Sequence, residues 1–154
     1  VADMGPGHVA PTAERVEAAL RGAGLRVTAQ RAAVYSALAT QPHAPVDVLH
    51  ATVRESVPGI AVQTVHGVVN DLTTAALVRR ISLPGNDRAL YELNDPADNH
   101  HHLQCIRCGR VEDVACAVGQ APCLTPSDDH GMRVLEATVT FRAICSDCER
   151  NEHG

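Results

Sequence analysis

Nine consecutive residues, His100-His101-His102-Leu103-Gln104-Cys105-Ile106-Arg107-Cys108, hold three imidazoles and two thiols. Further along, Cys145-Ser146-Asp147-Cys148 repeats the C-x-x-C spacing. Two such knuckles can close a tetrahedral four-cysteine zinc site, with each thiolate about 2.3 Å from the ion. The interval from Cys108 to Cys145 exceeds the roughly 15–20 residues of a simple zinc ribbon. The intervening chain must therefore fold back as structure and not as one short hairpin. Cysteines that merely fill a core have no reason to arrive as two spaced pairs.

The histidines need a separate reading. On a strand, alternation puts His100 and His102 on one face and sends His101 to the other. If the four thiolates take zinc, these imidazoles remain for a second metal. Histidine with carboxylate and open positions suits iron or manganese better than thiolate does. The plain alternative is a solvated polar loop leading into the strand. A zinc hydrolase or deaminase needs an open zinc position and a nearby general base, typically a Glu. Four thiolates leave no open position, and neither H-E-x-x-H nor H-x-E occurs. The protein is therefore expected not to be an enzyme.

The elements that must position these residues follow from composition and periodicity. A chain of 154 residues allows one domain or two small ones. The formal charge of −5 is uneven: +1 over residues 1–82 and −6 over residues 83–154. A slightly basic first half puts any nucleic-acid face at the front. Every basic residue is Arg, which reads as codon bias and not chemistry. One Phe, two Tyr and no Trp argue against a base-stacking single-strand binder. No apolar run is long enough to span a bilayer and no signal-peptide pattern is present, so a soluble, cytoplasmic protein without membrane contact is expected. In that compartment six cysteines point to zinc or redox chemistry over structural disulfides.

Residues 1–11 are unpatterned and predict a flexible tail. Thr12 can cap a helix to about Arg21, with Val16 and Leu20 four apart and Gly22 and Gly24 ending it. Thr28 caps a second helix with Val34 and Leu38 inward, stopped by Pro42. A third starts near Pro45, with Val46, Leu49 and Val53 on one face. After the Pro58-Gly59 turn, a fourth carries Val65, Val68, Val69, Leu72 and Ala76 inward. Leu77 to Leu83 and Arg88 to Leu93 read as strands joined by the turn Pro84-Gly85-Asn86-Asp87. Helix, turn, helix and hairpin make a winged helix-turn-helix, whose second helix enters the major groove of DNA. The alternative is a small helical bundle with a spare hairpin.

Asp95-Pro96-Ala97-Asp98-Asn99 reads as a boundary. The expected fold is α+β: a winged-helix DNA-binding domain over residues 1–94, then a small α/β dimerisation and metal-binding domain over residues 95–154. Leu135, Ala137, Val139, Phe141 and Ala143 alternate with polar residues, a half-buried strand leading into Cys145. Gly119 and Pro122 break any long helix between Ala115 and Leu124. Cys116 and Cys123 in that stretch are either apolar fillers or a redox pair. The second half is small for a core of its own, and a long exposed strand invites a symmetric homodimer.

Over nearly its whole length the chain resembles the ferric uptake regulator (Fur) superfamily. The resemblance is carried by Gly24-Leu25-Arg26-Val27-Thr28 with Gln30-Arg31, Thr64-Val65, Leu77-Val78, Tyr91-Glu92, the His-rich run into Cys105-x-x-Cys108-Gly109, and Cys145-x-x-Cys148. The stretch Ala121-Pro122-Cys123-Leu124-Thr125, with Ser127-Asp128 and His130-Gly131, is similar to the actinobacterial FurA/CatR branch. That branch is associated with peroxide-responsive repression of catalase-type genes. The resemblance implies a dimeric repressor that binds an inverted-repeat operator in double-stranded DNA when a regulatory metal is present. It implies structural zinc on Cys105, Cys108, Cys145 and Cys148. It implies Fe(II) or Mn(II) at a regulatory site of His43, Glu92, His100, His102 and Asp113.

The chain departs from the family in the recognition helix, where Thr-Val-Tyr-Arg is usual and Thr64-Val65-His66-Gly67 stands. The DNA contacts are then expected from Arg26, Gln30, Arg31, Gln63, Thr64, His66 and Asn70. A third metal site found in some relatives is expected to be weak or absent, because Asn99 and Gln120 stand at ligand positions and only His101 remains. Competing readings are a zinc-thiol redox switch, since His101-x-x-x-Cys105-x-x-Cys108 has the spacing of zinc anti-sigma factors, and an iron or zinc uptake repressor of the same fold.

Overall fold

The computed structural model describes residues 9–95, 100–115, 125–135 and 137–152. The chain divides into two compact units, one of residues up to 82 with 87–95, the other of residues 83–86 with those from 96 onward.

The first unit is four helices and a hairpin. They are α1 (Ala13–Gly22), α2 (Ala29–Thr40), α3 (Val46–Ser56) and α4 (Val62–Thr74), followed by β1 (Val78–Ile81) and β2 (Leu90–Leu93). Thr12 and Thr28 cap the first two helices, their hydroxyl oxygens accepting from the backbone N–H of Arg15 and Arg31 at 3.4 and 3.2 Å. Each cap satisfies one of the donors a helix start leaves unpaired. Pro45 and Ala61 precede α3 and α4 without side-chain caps. The apolar spacing puts Val16 and Leu20, Val34 and Leu38, Val46, Leu49 and Val53, and Val65, Val68, Val69 and Leu72 into one core. β1 and β2 pair antiparallel, with Val78 opposite Leu93 and Arg79 opposite Glu92. This is the expected winged helix-turn-helix.

Two details differ from the sequence reading. The strands are shorter than Leu77–Leu83 and Arg88–Leu93. Ala76 is not on the inner face of α4: it is exposed, beyond the helix end, with φ +60°. Its neighbours explain this, because Leu77 N–H returns to the Leu72 carbonyl at 3.0 Å and Ala76 N–H to Thr73 at 3.0 Å. That is a left-handed helix stop of the kind usually given to Gly.

The second unit is a three-stranded sheet with a short helix. β3 (His100–Cys105) lies between β4 (Val111–Ala115), antiparallel, and β5 (Thr140–Ala143), parallel. The strand expected from Leu135 onward is regular only over Thr140–Ala143. These four residues are the ones that pair with His102 to Cys105. The helix α5 (Ser146–Asn151) carries Asp147 and Glu149 in its first turn and Arg150 in its last. The turn Leu83–Asn86 belongs to this unit, where the Gln104 amide donates to the Pro84 carbonyl at 3.2 Å. Among the described residues, this unit contributes only Leu83 and Cys105 to the buried apolar set, against seventeen from the first unit. It leaves Ile106, Met132, Val134, Leu135, Phe141 and Ile144 exposed. Cys116, Cys123, Asn99, Gln120 and the stretch Ala121 to Leu124 lie outside the described residues.

Candidate metal centres and nucleic-acid face

The four cysteines of the two knuckles come together. Cys105 ends β3, and the turn to Cys108 is closed by Gly109 N–H to the Cys105 carbonyl at 3.0 Å and Cys105 N–H to the Arg110 carbonyl at 2.8 Å. Gly109 sits at φ +77°, which a side chain would strain. Ile106 N–H to the Ala143 carbonyl at 2.9 Å brings the second knuckle alongside. All four sulfurs lie within 4.8 Å of one another, and Cys108 Sγ is 3.8 Å from Cys145 Sγ. A tetrahedron with arms of about 2.3 Å has edges of about 3.8 Å, so the spacing fits zinc.

The protonation chemistry points the same way. Backbone N–H groups of Cys108, Cys145 and Arg107 pull the Cys105 thiol down to about 6. A hydrogen bond with the Cys145 sulfur, then burial, pushes Cys148 up to about 12. Without a cation the cluster therefore ionises one thiol readily and resists ionising the last. A divalent ion that prefers sulfur removes the conflict, and loading it expels protons.

A second donor group lies on β3 and β4. His100 and His102 share a face of β3, with ring centroids 5.2 Å apart. Asp113 stands opposite His102 across the β3–β4 ladder. Its Oδ1 is 3.5 Å from His100 Nε2 and 3.6 Å from His102 Nε2. Two donors on one ion with arms of about 2.1 Å lie about 3.0–3.4 Å apart at 90–109°. Each imidazole thus stands within a few tenths of an ångström of the spacing that two ligands of one ion would take with Asp113. His101 takes the other face, its ring 6.4 Å from that of Phe141.

The first unit builds its own pair. His43 lies between α2 and α3 at φ +62°, a strained conformation for a residue with a Cβ. The next residue explains how it is held: Ala44 and Tyr91 exchange backbone hydrogen bonds at 3.2 and 3.0 Å. This isolated bridge sets His43 beside the end of β2, where His43 Nε2 is 3.0 Å from Glu92 Oε2. Glu92 Oε1 accepts from Arg79 Nε on β1. Sequence reasoning missed Arg79, although a hairpin register counted from the turn would have set a base opposite this acid.

The exposed face of α4 carries Gln63, Thr64, His66, Gly67 and Asn70. Gln30 and Arg26 are exposed at the start of α2 and just before it. Arg31 is engaged within the unit: it donates to the Arg26 carbonyl at 2.9 Å and to Asp71 Oδ2 at 2.9 Å, tying α2 to α4. A second cross-link, Arg88 to Asp47, joins the turn end of the hairpin to α3 and holds the Asp47 carboxyl below its ordinary range. Neither Asp71 nor Asp47 was singled out in the sequence, since each lies some forty residues from its partner.

Similarity to known proteins agrees with this construction. The Ferric uptake regulator family model matches residues 22–142. Transcriptional regulator FurA of Mycobacterium tuberculosis is 46% identical over 129 residues, 84% of this chain and 86% of that protein. Ferric uptake regulation protein 1 of Mycolicibacterium fortuitum is 48% identical over 124 residues, 80% of this chain and 76% of that protein. Among solved structures, the Pseudomonas aeruginosa ferric uptake regulator with manganese superposes with a TM-score of 0.64 at 24% identity, covering 85% of this chain and 98% of that one. The Campylobacter jejuni peroxide stress regulator does so with a TM-score of 0.62 at 22% identity, covering 90% and 99%. At those identities the likeness is one of fold. The chain belongs to the ferric uptake regulator family and is a transcriptional regulator of that family.

Proposed function

We propose that the protein is a homodimeric, metal-dependent repressor of an inverted-repeat operator, with Fe(II) or Mn(II) as regulatory metal. Its signal is peroxide or iron, and its targets are genes of the catalase-peroxidase type. The observation that carries this reading is the second donor set. His43 and Glu92 in one unit, and His100, His102 and Asp113 in the other, offer nitrogen and oxygen only. That chemistry suits iron or manganese and is kept apart from the thiolates. A metal taking all five would couple the winged helix of residues 1–94 to the second domain of residues 95–154. Differential affinity for the DNA-competent arrangement is then the switch. Arg26, Gln30, Arg31, Gln63, Thr64, His66 and Asn70 form the proposed DNA face.

Dimerisation is supported by the thin second unit. Among the described residues it buries two apolar side chains and β5 pairs on one side only, with β3. Pairing with a second copy would cover the exposed Phe141 and Ile144 and the unpaired strand edge.

The deciding experiment is mass spectrometry of peptides after sub-stoichiometric peroxide, with iron-loaded protein against manganese-loaded protein. His43 and His100 would lie beside a bound iron(II), which would supply peroxide activation; one peroxide oxygen would then end on an imidazole carbon of either residue and the other would leave as water. A gain of one oxygen there, in the iron form only and with loss of operator binding, is the expected result. A disulfide among Cys105, Cys108, Cys145 and Cys148, appearing first and equally in both forms, would replace this reading with a zinc-thiol switch. No modification in either form would leave a repressor that answers to metal alone.

A further inference from the structure

The two oxygens of Glu92 are held differently. Oε2 faces His43 Nε2 at 3.0 Å, while Oε1 accepts the Arg79 Nε hydrogen. Glu92 is 2% exposed, and Arg79 stands directly across from it in the β1–β2 register. The hairpin itself therefore places this cation on this carboxylate. Arginine cannot shed its charge, so the carboxylate faces a cation at every working pH.

We propose that Arg79 is a positioning residue that occupies Glu92 Oε1, presents the carboxylate to a divalent metal through Oε2 alone, and tunes the site to weaker binding. The inference rests on the reading above that Glu92 is a metal ligand. First, an ion held between His43 and Glu92 would meet Oε2, the oxygen that faces His43, and would leave Oε1 with Arg79. Glu92 is then a one-oxygen ligand, and a coordination position that a two-oxygen grip would fill stays available. Second, a fixed positive charge on the ligand's own carboxylate opposes any incoming cation. The same charge compensates the buried carboxylate when the metal is gone, so the half-site keeps its shape. A sensor needs both properties: an affinity low enough to follow supply, and a site that survives emptying.

The test is Mn(II) titration of full-length, zinc-loaded protein, read by the paramagnetic resonance signal of free Mn(II). Arg79→Gln keeps an N–H donor for Oε1 but removes the charge, and is expected to tighten Mn(II) binding by about tenfold or more. Arg79→Lys keeps the charge and should stay within about threefold of the parent protein. A residue of merely structural importance would loosen binding in the Gln variant, and loosened or unchanged binding there overturns the proposal. Glu92→Gln separates the two layers. If it binds Mn(II) as well as the parent, the ligand assignment fails and takes the Arg79 role with it. If it loses Mn(II) while Arg79→Gln changes nothing, only the Arg79 role fails. Should Arg79→Gln not fold, a crystal structure of the manganese-loaded parent decides. Arg79 still on Oε1, with Glu92 giving one oxygen, supports the proposal, and Glu92 giving both oxygens with Arg79 displaced ends it.

Discussion

Gly67 sits in the exposed middle of α4, and a Cβ built there meets no atom within 4 Å. Nothing inside the chain requires a glycine at that position. Gly67→Ala should therefore stabilise the protein by roughly 1 kcal/mol, seen as a rise of a few degrees in melting temperature. A fall would mean that α4 is not a regular helix through residue 67. Arg31 carries a mixed prediction, because its guanidinium already bridges Arg26 and Asp71. Arg31→Ala should lower stability by at most about 1 kcal/mol and weaken binding to all DNA sequences alike, with a flatter salt dependence. His66→Ala, in contrast, should alter sequence preference while leaving the salt slope in place. Equal behaviour of the two variants would mean the recognition surface lies elsewhere. At this scale the sequence was legible where periodicity speaks. Alternation alone put His100 and His102 on one face, and cysteine spacing alone paired the knuckles. It was silent on the left-handed backbone of His43, which depends on a bridge to Tyr91 forty-odd residues away.

Elements repeat the lesson in another form. Each of the four helices was legible because a capping Thr, a Pro or the Pro58-Gly59 turn comes before its start and valines and leucines recur at three and four. Strand ends were less so, since a strand ends where its partner ends. Regular pairing with β3 runs only over Thr140–Ala143, opposite His102–Cys105, whatever the alternation from Leu135 suggests. The helix α5 went unread, although acids in its first turn and Arg150 in its last are a helix signature. Ala76 misled because an inward spacing continued past the point where the backbone had already turned. The capping argument is open to test: Thr28→Ala should cost about 1 kcal/mol, measured by urea unfolding of the metal-loaded protein. A neutral outcome would assign the start of α2 to packing and not to the hydroxyl.

For the whole molecule the zinc knuckles matter most, because the described residues of the second unit bury so little apolar surface. Structural zinc in small peptides is worth on the order of 10–16 kcal/mol at neutral pH. Cys105→Ser, or removal of the ion by a strong chelator, should therefore unfold the second unit and abolish dimerisation while the winged helix keeps its helical signal. Sedimentation and circular dichroism on one sample measure both. A zinc-free protein that stays dimeric and fully folded would contradict the structural role. The short turn Leu83–Asn86 has a consequence of a different kind. Because it belongs with residues beyond 96, the backbone passes from one unit to the other after residue 82, again after 86 and once more after 95. A single genetic crossover after residue 95 keeps the hairpin whole but separates its turn, Leu83–Asn86, from the rest of the unit it packs with. A recombinant of that kind would join a turn from one parent to a Gln104 from the other, and the join is forgiving because Gln104 meets the turn at the backbone carbonyl of residue 84, which any side chain there leaves in place.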